Sequence, residues 1–456
     1  MKHFCILILL ILVYVNCLKA QIEPRVSIKK PTIAEKTILR KNFTKYKLFS
    51  IDKTEIVDNL KKRGQCQFQL DIDSENKWDI DLQLNDIRSP NYKASYISEL
   101  GTYECDAFIP NTFKGKTSDG KEVRFTIDEN NFLGVIFSDE KQTIMQQIRD
   151  YTNNKEDEGL ILYDNCNLVF YEEESDPIND IFLTLPENII STNILNSNST
   201  PCTYYLEIAT DADFQFYANS MNRDLIETYK YILSVLNVVE GVYKSTFDLR
   251  FIVTFQNVWT TSDPYSTTSL LHDFRSYWNS YMHNERDLAH LFTGKGTNSM
   301  GSSFAGNIGN NSAYSFSKYD YEKIYKIVAH EIGHNLSATD LGDAITDCCG
   351  SGNVSIMCQG KFPSYLSFCQ RSINEIEAFL RSKSSILKTS YENNLVLSGK
   401  ISVFNQYQAK QKITSTQVIE SGIAIYKANE FQLNSGFEVK AGAIFETIIG
   451  DYTGCD

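Results

Sequence analysis

The chain has 456 residues and is acidic, with 57 Asp and Glu against 44 Lys and Arg and a net charge of −13. This balance excludes the basic surface on which nucleic-acid-binding proteins rely, so nucleic acid is not an expected partner. The first 20 residues, MKHFCILILLILVYVNCLKA, place a lysine before an apolar run that is too short to cross a membrane. Residues 1–20 therefore predict a secretory signal peptide, and we expect a secreted protein with no membrane span.

Residues 21–200 alternate apolar and polar side chains and predict a β-rich region. The segment EVRFTIDENNFLGVIFS has a polar turn between two alternating runs, which is typical of a β-hairpin. The segment GLILYDNCNLVFYEEES predicts a second hairpin. Residues 186–201, PENIISTNILNSNSTP, are rich in Asn, Ser and Thr and lack helical spacing of apolar residues, so they predict an exposed linker.

A different pattern begins at Cys202 and continues to residue 388. Segments such as LRFIVTFQNVW, which read as strands, alternate with segments such as YEKIYKIVAHEIGHNL, whose apolar residues recur at helical spacing. This order predicts an α/β domain of three layers. Residues 389–456 are short alternating segments separated by Gly and Asn, and they predict a small all-β module of solenoid-like character. The expected protein is therefore multidomain.

The segment VAHEIGHNLSATD holds His330 and His334 four residues apart on a predicted helix. Positions i and i+4 share one helix face, so both imidazoles can bind one metal ion. The segment contains the pattern H-E-x-x-H, in which two histidines bind zinc and the glutamate, here Glu331, acts as general base. The alternative interpretation is a packed helix with two hydrogen-bonded histidines and no metal.

A catalytic zinc ion takes three protein ligands and keeps one position open. Asp340 can supply the third ligand if the chain turns back sharply after the helix. Glu375 and Glu377, within SINEIEAFL on a later predicted helix, are the other candidates. The spacing alone leaves this choice open, and in each case it predicts one catalytic Zn²⁺.

H-E-x-x-H-x-x-G-x-x-H/D followed by a tight methionine-containing turn is the signature of the metzincin zinc endopeptidases. Over about residues 202–385 the sequence resembles this clan, and within it the reprolysin-like (adamalysin-like) family. The resemblance implies a metzincin catalytic domain with a twisted mixed sheet and a zinc helix. It also implies that His330, His334 and Asp340 are the metal ligands and that Glu331 is the general base. Met357, in GNVSIMCQG, matches the methionine beneath the metal, and we expect it to be structural.

Two positions depart from the pattern of the family. The glycine that usually follows the zinc helix is Ser337 here, and serine is penalised in the left-handed conformation that glycine reaches without cost. The third ligand is Asp340 instead of the commoner histidine, and no histidine follows His334. A carboxylate would make the metal less Lewis acidic than a third neutral imidazole. The shape of the turn and the efficiency of the site are therefore open at this stage.

The resemblance further implies a zymogen in which 21–200 is a prodomain and cleavage falls in the linker. The substrate would be a protein or peptide that pairs with Gly301–Gly309 as an edge strand, and the enzyme is assumed to be a monomer. The dense cluster of four cysteines between 348 and 369 is expected to form disulfides rather than a zinc site. The candidates for a prodomain thiolate that holds the zinc are Cys66, Cys105 and Cys166, although disulfides or burial are the simpler interpretation.

A second function fits the same sequence. It is a secreted, non-catalytic binding or adhesion protein that retains zinc in a degenerate protease domain. Glu331 argues against it, because a structural site needs ligands alone. A metal-free adhesin acting through the C-terminal module is a third hypothesis, and it predicts no bound zinc. Attachment of the secreted enzyme to the cell surface is one role considered for that module.

Overall fold

The computed structural model describes most of the chain after the predicted signal peptide. The described residues are 21–105, 108–138, 141–152, 157–169, 204–309, 312–321, 323–342, 346–350, 354–359, 366–383, 387, 394–401, 405–409, 411–421 and 423–449. The predicted signal peptide 1–20 and the predicted linker 186–201 lie outside them. Within these ranges, no helix has the length and apolar character needed to cross a membrane.

The alternating runs of the N-terminal region form a large antiparallel sheet. The strands described in the N-terminal region are β1 (Val26–Ile28), β2 (Lys47–Ile51), β3 (Gln65–Asp73), β4 (Asn76–Leu84), β5 (Arg88–Ser98), β6 (Gly101–Glu104), β7 (Thr112–Thr117), β8 (Glu122–Ile127), β9 (Phe132–Phe137), β10 (Gln142–Gln147) and β11 (Leu160–Asp164). Among the described residues, nine of these strands pair in the order β1-β2-β11-β10-β9-β8-β7-β4-β3. Strands β5 and β6 belong to a different sheet.

The two hairpins predicted in this region have different outcomes. The first is confirmed, because β8 and β9 pair antiparallel from Val123 opposite Ile136 to Ile127 opposite Phe132. The second does not form on β11 in the described part of the chain, and residues 170–175 of the predicted segment lie outside that part. Strand β11 pairs with β10 on one side and β2 on the other, so the segment that follows finds no open edge on β11. The chain makes a 3₁₀ turn at Asn165–Asn167 instead.

The second sheet carries the predicted α/β segment. Its strands from that segment are β12 (Tyr204–Ala212), β13 (Leu249–Trp259), β14 (Leu288–Thr293), β15 (Gly301–Ser303) and β16 (Tyr314–Lys318). In the described chain the order is β15-β16-β14-β12-β13-β5-β6. Strands β12, β13, β14 and β16 are parallel, while β15 runs antiparallel to β16, so the sheet is mixed. The N-terminal strand β5 extends this sheet by pairing parallel with β13.

Helices cover both faces of this sheet. The α-helices in the described residues are α1 (Ile33–Asn42), α2 (Thr54–Arg63), α3 (Leu225–Phe247), α4 (Leu270–Tyr281), α5 (Ile324–Asn335), α6 (Thr346–Cys349) and α7 (Gln370–Ser382). Helix α3 contacts β13, β8 and α5 and is apolar around most of its circumference, as a helix buried between layers must be. On the other face α4 packs Phe274 and Trp278 into a second core. The α/β layering predicted for this segment is confirmed.

The C-terminal residues form a stack of parallel strands. These are β17 (Asn394–Leu397), β18 (Lys400–Ile401), β19 (Asn405–Gln408), β20 (Lys412–Ser415), β21 (Val418–Ile419), β22 (Ile423–Ala428), β23 (Glu430–Leu433), β24 (Glu438–Val439) and β25 (Ile444–Ile449). Each turn of the chain adds one strand to each of three parallel sheets, β17-β20-β23, β18-β21-β24 and β19-β22-β25. Leu395, Ile413, Ile419 and Tyr426 lie in the core. This arrangement is a short β-solenoid.

Candidate metal centre

Helix α5 carries both histidines of the motif and is held from two sides. On one side, the Tyr243 hydroxyl of α3 donates a hydrogen bond to the Ala329 carbonyl oxygen at 2.7 Å. On the other, the Asn335 side-chain amide donates to the carbonyl oxygens of Phe304 at 2.9 Å and Tyr314 at 3.2 Å. The helix is therefore fixed to the central helix and to the edge of the sheet next to β15.

The chain leaves α5 through a Schellman motif. The Ser337 amide donates to the His334 carbonyl oxygen at 2.8 Å, and the Ala338 amide donates to the Gly333 carbonyl oxygen at 2.9 Å. Ser337 has a φ of 75°, so it occupies the left-handed position that a glycine usually takes. The turn thus keeps the geometry of a glycine C-cap despite the serine. It reverses the chain and brings Asp340 back to the helix.

The three predicted metal ligands meet at one point. His330 Nε2 lies 3.0 Å from His334 Nε2. The Asp340 Oδ1 atom is 3.1 Å from His330 Nε2 and 3.4 Å from His334 Nε2. Both imidazoles are buried. No other group of three His, Cys, Asp or Glu side chains in the described residues is close enough to share one ion.

Backbone carbonyls orient both imidazoles. His330 Nδ1–H donates to the Ile356 carbonyl oxygen at 2.8 Å, and His334 Nδ1–H donates to the Ala338 carbonyl oxygen at 2.8 Å. Each Nε2 atom therefore carries its lone pair towards the other and towards Asp340. Burial lowers the pKa of His330 to about 4, and the nearby Lys326 charge acts in the same direction. The ring is neutral at pH 7, which is the form that binds a metal.

The later glutamates do not reach this point. Glu375 accepts hydrogen bonds from the Thr339 amide at 2.8 Å and from the Thr339 hydroxyl at 3.1 Å. Glu377 pairs with Arg381 at 3.3 Å on the exposed face of α7. Glu375 thus holds the residue directly before Asp340. This role of Glu375 could not be predicted from the sequence, because its contact with Thr339 bridges 36 residues of chain and has no local signal.

Met357 lies directly beneath α5. Its side chain is fully buried, and a Cβ atom at Gly333 would lie 2.6 Å from its Sδ atom. The Leu341 amide donates to the Met357 carbonyl oxygen at 2.9 Å. The methionine therefore supports the floor of the site and the chain that follows Asp340.

Two disulfides cross-link the segment that contains Met357. Cys349 bonds to Cys358, next to Met357, and Cys348 bonds to Cys369 at the start of α7. The expectation of disulfides in this cluster is confirmed. In the N-terminal region, burial raises the pKa of the Cys66 thiol to about 12, so this group stays protonated.

Glu331 faces the edge strand β15. A Cβ atom at Gly301 would overlap the Glu331 carboxyl group, so glycine is required for this close approach. Burial raises the pKa of Glu331 to about 7, while the nearby His334 ring acts in the opposite direction. A carboxyl group with a pKa near neutrality can accept a proton and return it at neutral pH. The contact with Gly301 was not evident from the motif.

Ser337→Gly is expected to raise the free energy of unfolding by about 1 kcal/mol. A serine in the left-handed region costs roughly 1–2 kcal/mol in the folded state. The greater backbone entropy of glycine in the unfolded chain offsets only part of the gain from removing that cost. Urea unfolding of the full chain measures the change. Ser280→Gly in α4, an exposed helical position, is the matched control and should lower stability. A loss of stability in both variants would show that Ser337 carries no strain.

The middle part of the chain matches a metallopeptidase family model. Residues 200–368 match the Reprolysin_5 model, Metallo-peptidase family M12. This part of the chain is a reprolysin-like metzincin domain. The disintegrin and metalloproteinase domain-containing protein 22 of Xenopus laevis is 22% identical over 254 residues, which are 52% of this chain and 27% of that protein. The chain therefore spans about a quarter of the length of this curated relative.

Among solved structures, this chain is similar to metalloproteinase-II from Bacteroides fragilis. The match has 14% identity and a TM-score of 0.41, and it covers 72% of this chain and 95% of that one. The metzincin domain occupies the part of the chain between the N-terminal region and the β-solenoid.

Proposed function

We propose that the protein is a secreted zinc endopeptidase that hydrolyses peptide bonds in proteins or peptides. The observation that carries this proposal is the convergence of His330, His334 and Asp340 beside Glu331. Structural zinc sites are closed by four ligands, whereas this group has three and a carboxyl group next to it. That combination supports catalysis over a purely structural role for the metal.

The donor set fits zinc. Bonds of about 2.0–2.1 Å in a tetrahedron place ligand atoms roughly 3.3 Å apart. The three separations found here, 3.0, 3.1 and 3.4 Å, lie close to that value. Two nitrogen lone pairs and a carboxylate oxygen facing one another would repel, and a cation between them removes the repulsion. His330, His334 and Asp340 would therefore hold the ion.

When bound, zinc acidifies a water molecule and polarises the substrate carbonyl. Glu331 takes a proton from that water as its oxygen bonds to the carbonyl carbon. As the carbon–nitrogen bond breaks, Glu331 returns the proton to the leaving amine. The contact with Gly301 holds the Glu331 carboxyl group at the edge of the sheet, where a peptide would lie.

The substrate would add to the sheet beside β15. This strand is the outer one of the described sheet, so its outward backbone groups can pair with an extended peptide. The strand is shorter than the predicted Gly301–Gly309. It ends at Ser303, and Gly306 and Gly309 beyond it take left-handed backbone angles. The proposed pairing is therefore limited to a few residues, next to Glu331.

Metal removal tests the function on the full-length protein. We expect one zinc ion per chain, cleavage of casein or gelatin, loss of cleavage with a zinc chelator, and recovery when zinc is returned. Zinc with no cleavage of any protein substrate would favour the alternative, a non-catalytic binding or adhesion protein. A chain that takes up no zinc would remove the basis of the proposal.

The ligand set has its own test. Asp340→Ala removes the proposed third ligand, and we expect zinc affinity to fall by more than about 100-fold. Glu375→Ala frees Thr339 and should weaken zinc binding by roughly 10–100-fold, as other residues that orient ligands do. Glu377→Ala on the same helix is the control and should have no effect. Competition with a chromophoric chelator measures all three affinities. Retention of zinc by Asp340→Ala together with its loss in Glu375→Ala would make Glu375 the ligand.

We also propose that the enzyme is made with a signal peptide and as a zymogen, with residues 21–200 as its prodomain and 389–456 as a separate module. The predicted leader and linker and the metzincin family support this arrangement. N-terminal sequencing of the exported protein tests both cleavages. An exported chain that begins at Met1 would contradict the first.

A further inference from the structure

The N-terminal region and the metzincin domain share one sheet. Strand β5 is hydrogen-bonded to β13 in parallel, from Lys93 opposite Phe255 to Ile97 opposite Trp259. β13 is an apolar strand, buried for most of its length. Without β5 it would become an open edge, and a long apolar edge strand promotes aggregation. The N-terminal region therefore completes the sheet on the side opposite β15.

The central helix α3 depends on the N-terminal region for its polar groups. Asn237 in the middle of α3 is fully buried and accepts a hydrogen bond from the Asn85 amide at 2.8 Å. Its own amide donates to the carbonyl oxygens of Phe113 at 3.3 Å and Phe125 at 3.2 Å. Each of these three partners precedes the linker. Loss of these hydrogen bonds would destabilise the fold much more at this buried amide than at an exposed one.

A buried ion pair crosses the same boundary. Arg124 of β8 contacts Glu240 of α3 at 2.7 Å, and both side chains are 1% exposed. A Cβ atom at Gly241 would lie 3.2 Å from Arg124 Cγ, so the two elements pack closely at this point. Separating the two regions would break this contact and leave Arg124 with Glu122 alone and Glu240 with Arg250 at 3.9 Å, and losing the close partner of a buried charge is strongly destabilising.

The apolar core is also continuous. Phe43, Val135 and Ile161 of the N-terminal region belong to the same cluster as Val235 and Val239 of α3. Helix α3 in turn supports α5 through Tyr243. The N-terminal region therefore contributes to the packing that holds the histidines.

We infer that the N-terminal region is a permanent subunit of the enzyme. After the backbone is cut between residues 170 and 203, residues up to Val169 remain bound to the domain that starts at Tyr204. They supply two strands of its sheet and the counter-ion of Glu240. The N-terminal fragment of the same chain thus covers the surface formed by β13 and α3. Neither bound zinc nor proteolytic activity is needed for this association.

A cut at a chosen point tests the inference. The full-length protein receives a recognition sequence for a site-specific protease within 186–201, and it carries Cys202→Ser so that this cysteine cannot join the fragments. After cleavage we expect one peak on size exclusion in about 1 M NaCl, which screens surface ion pairs, and two bands on a denaturing gel. Separation of the fragments in native buffer would overturn the inference.

Hydrogen exchange separates specific retention from nonspecific adhesion. In the cut protein the β13 amides from Phe255 to Trp259 should remain as protected as in the uncut protein, and both fragments should unfold at one urea midpoint. Loss of protection in β13, or two separate midpoints, would contradict a shared sheet. The uncut protein with the same inserted sequence is the control for both measurements.

Discussion

Glu331→Gln is expected to lower kcat for peptide hydrolysis by roughly 10²–10⁴-fold, the usual contribution of a general base, while one zinc ion per chain stays bound. Glutamine has nearly the same shape but cannot accept the proton of the attacking water. Because the side chain is buried against Gly301, the isosteric change should leave the fold intact. Steady-state kinetics on a peptide substrate and metal analysis of the same samples measure the two effects.

Glu377→Gln provides the matched control for that experiment. It removes a carboxylate from the exposed side of α7, and kcat should stay at the wild-type value. If Glu331→Gln retained full activity with zinc bound, another group would have to be the base. If it lost zinc as well, its role would be to support the ligands rather than to transfer the proton.

Arg124→Met is expected to lower the free energy of unfolding by about 3–5 kcal/mol, the cost of leaving one member of a buried ion pair without its partner. Methionine keeps much of the apolar volume, so the effect comes mainly from the charge of Glu240. Arg250 lies 3.9 Å from the same carboxylate. Because it partly compensates the Glu240 charge, the loss of stability should lie near the lower end of that range. Urea unfolding of the full chain gives the value.

Two variants make the result specific to this pair. Arg124→Met combined with Glu240→Leu removes both charges and should recover most of the stability. Lys77→Met breaks the exposed pair with Asp71, whose side chains are 52% and 50% exposed, and should cost less than about 1 kcal/mol. Equal losses in Arg124→Met and Lys77→Met would mean that burial does not strengthen the contact between the two regions.

The parts of this protein that could be predicted are local in sequence. The strands and helices between Tyr204 and Asn335 follow the predicted order, because the spacing of apolar residues reflects which face of each element is buried. The first hairpin has its turn residues between two alternating runs, and it is present. The second failed because pairing depends on which strand edges are open, and both edges of β11 are occupied by distant strands.

The turn after α5 shows the limit of residue-by-residue reasoning. Ser337 has no conformational preference that would predict a left-handed angle. The two Schellman hydrogen bonds and the fixed path of the chain towards Leu341 impose that angle. Tertiary contacts of this kind can override the intrinsic cost of a single residue.

The sequence by itself determined the spacing of His330, Glu331 and His334, since 3.6 residues per turn put positions i and i+4 on one face whatever surrounds the helix. Only the tertiary structure decided which carboxylate meets the histidines. Asp340 and Glu375 both follow the helix, and the Schellman turn brings the first to the imidazoles while α7 directs the second to Thr339. The sharing of a sheet between the N-terminal region and the metzincin domain was likewise decided at this level. Hydrogen bonds between strands are made by the backbone, which has the same donors and acceptors in every residue except proline, and their partners follow from packing.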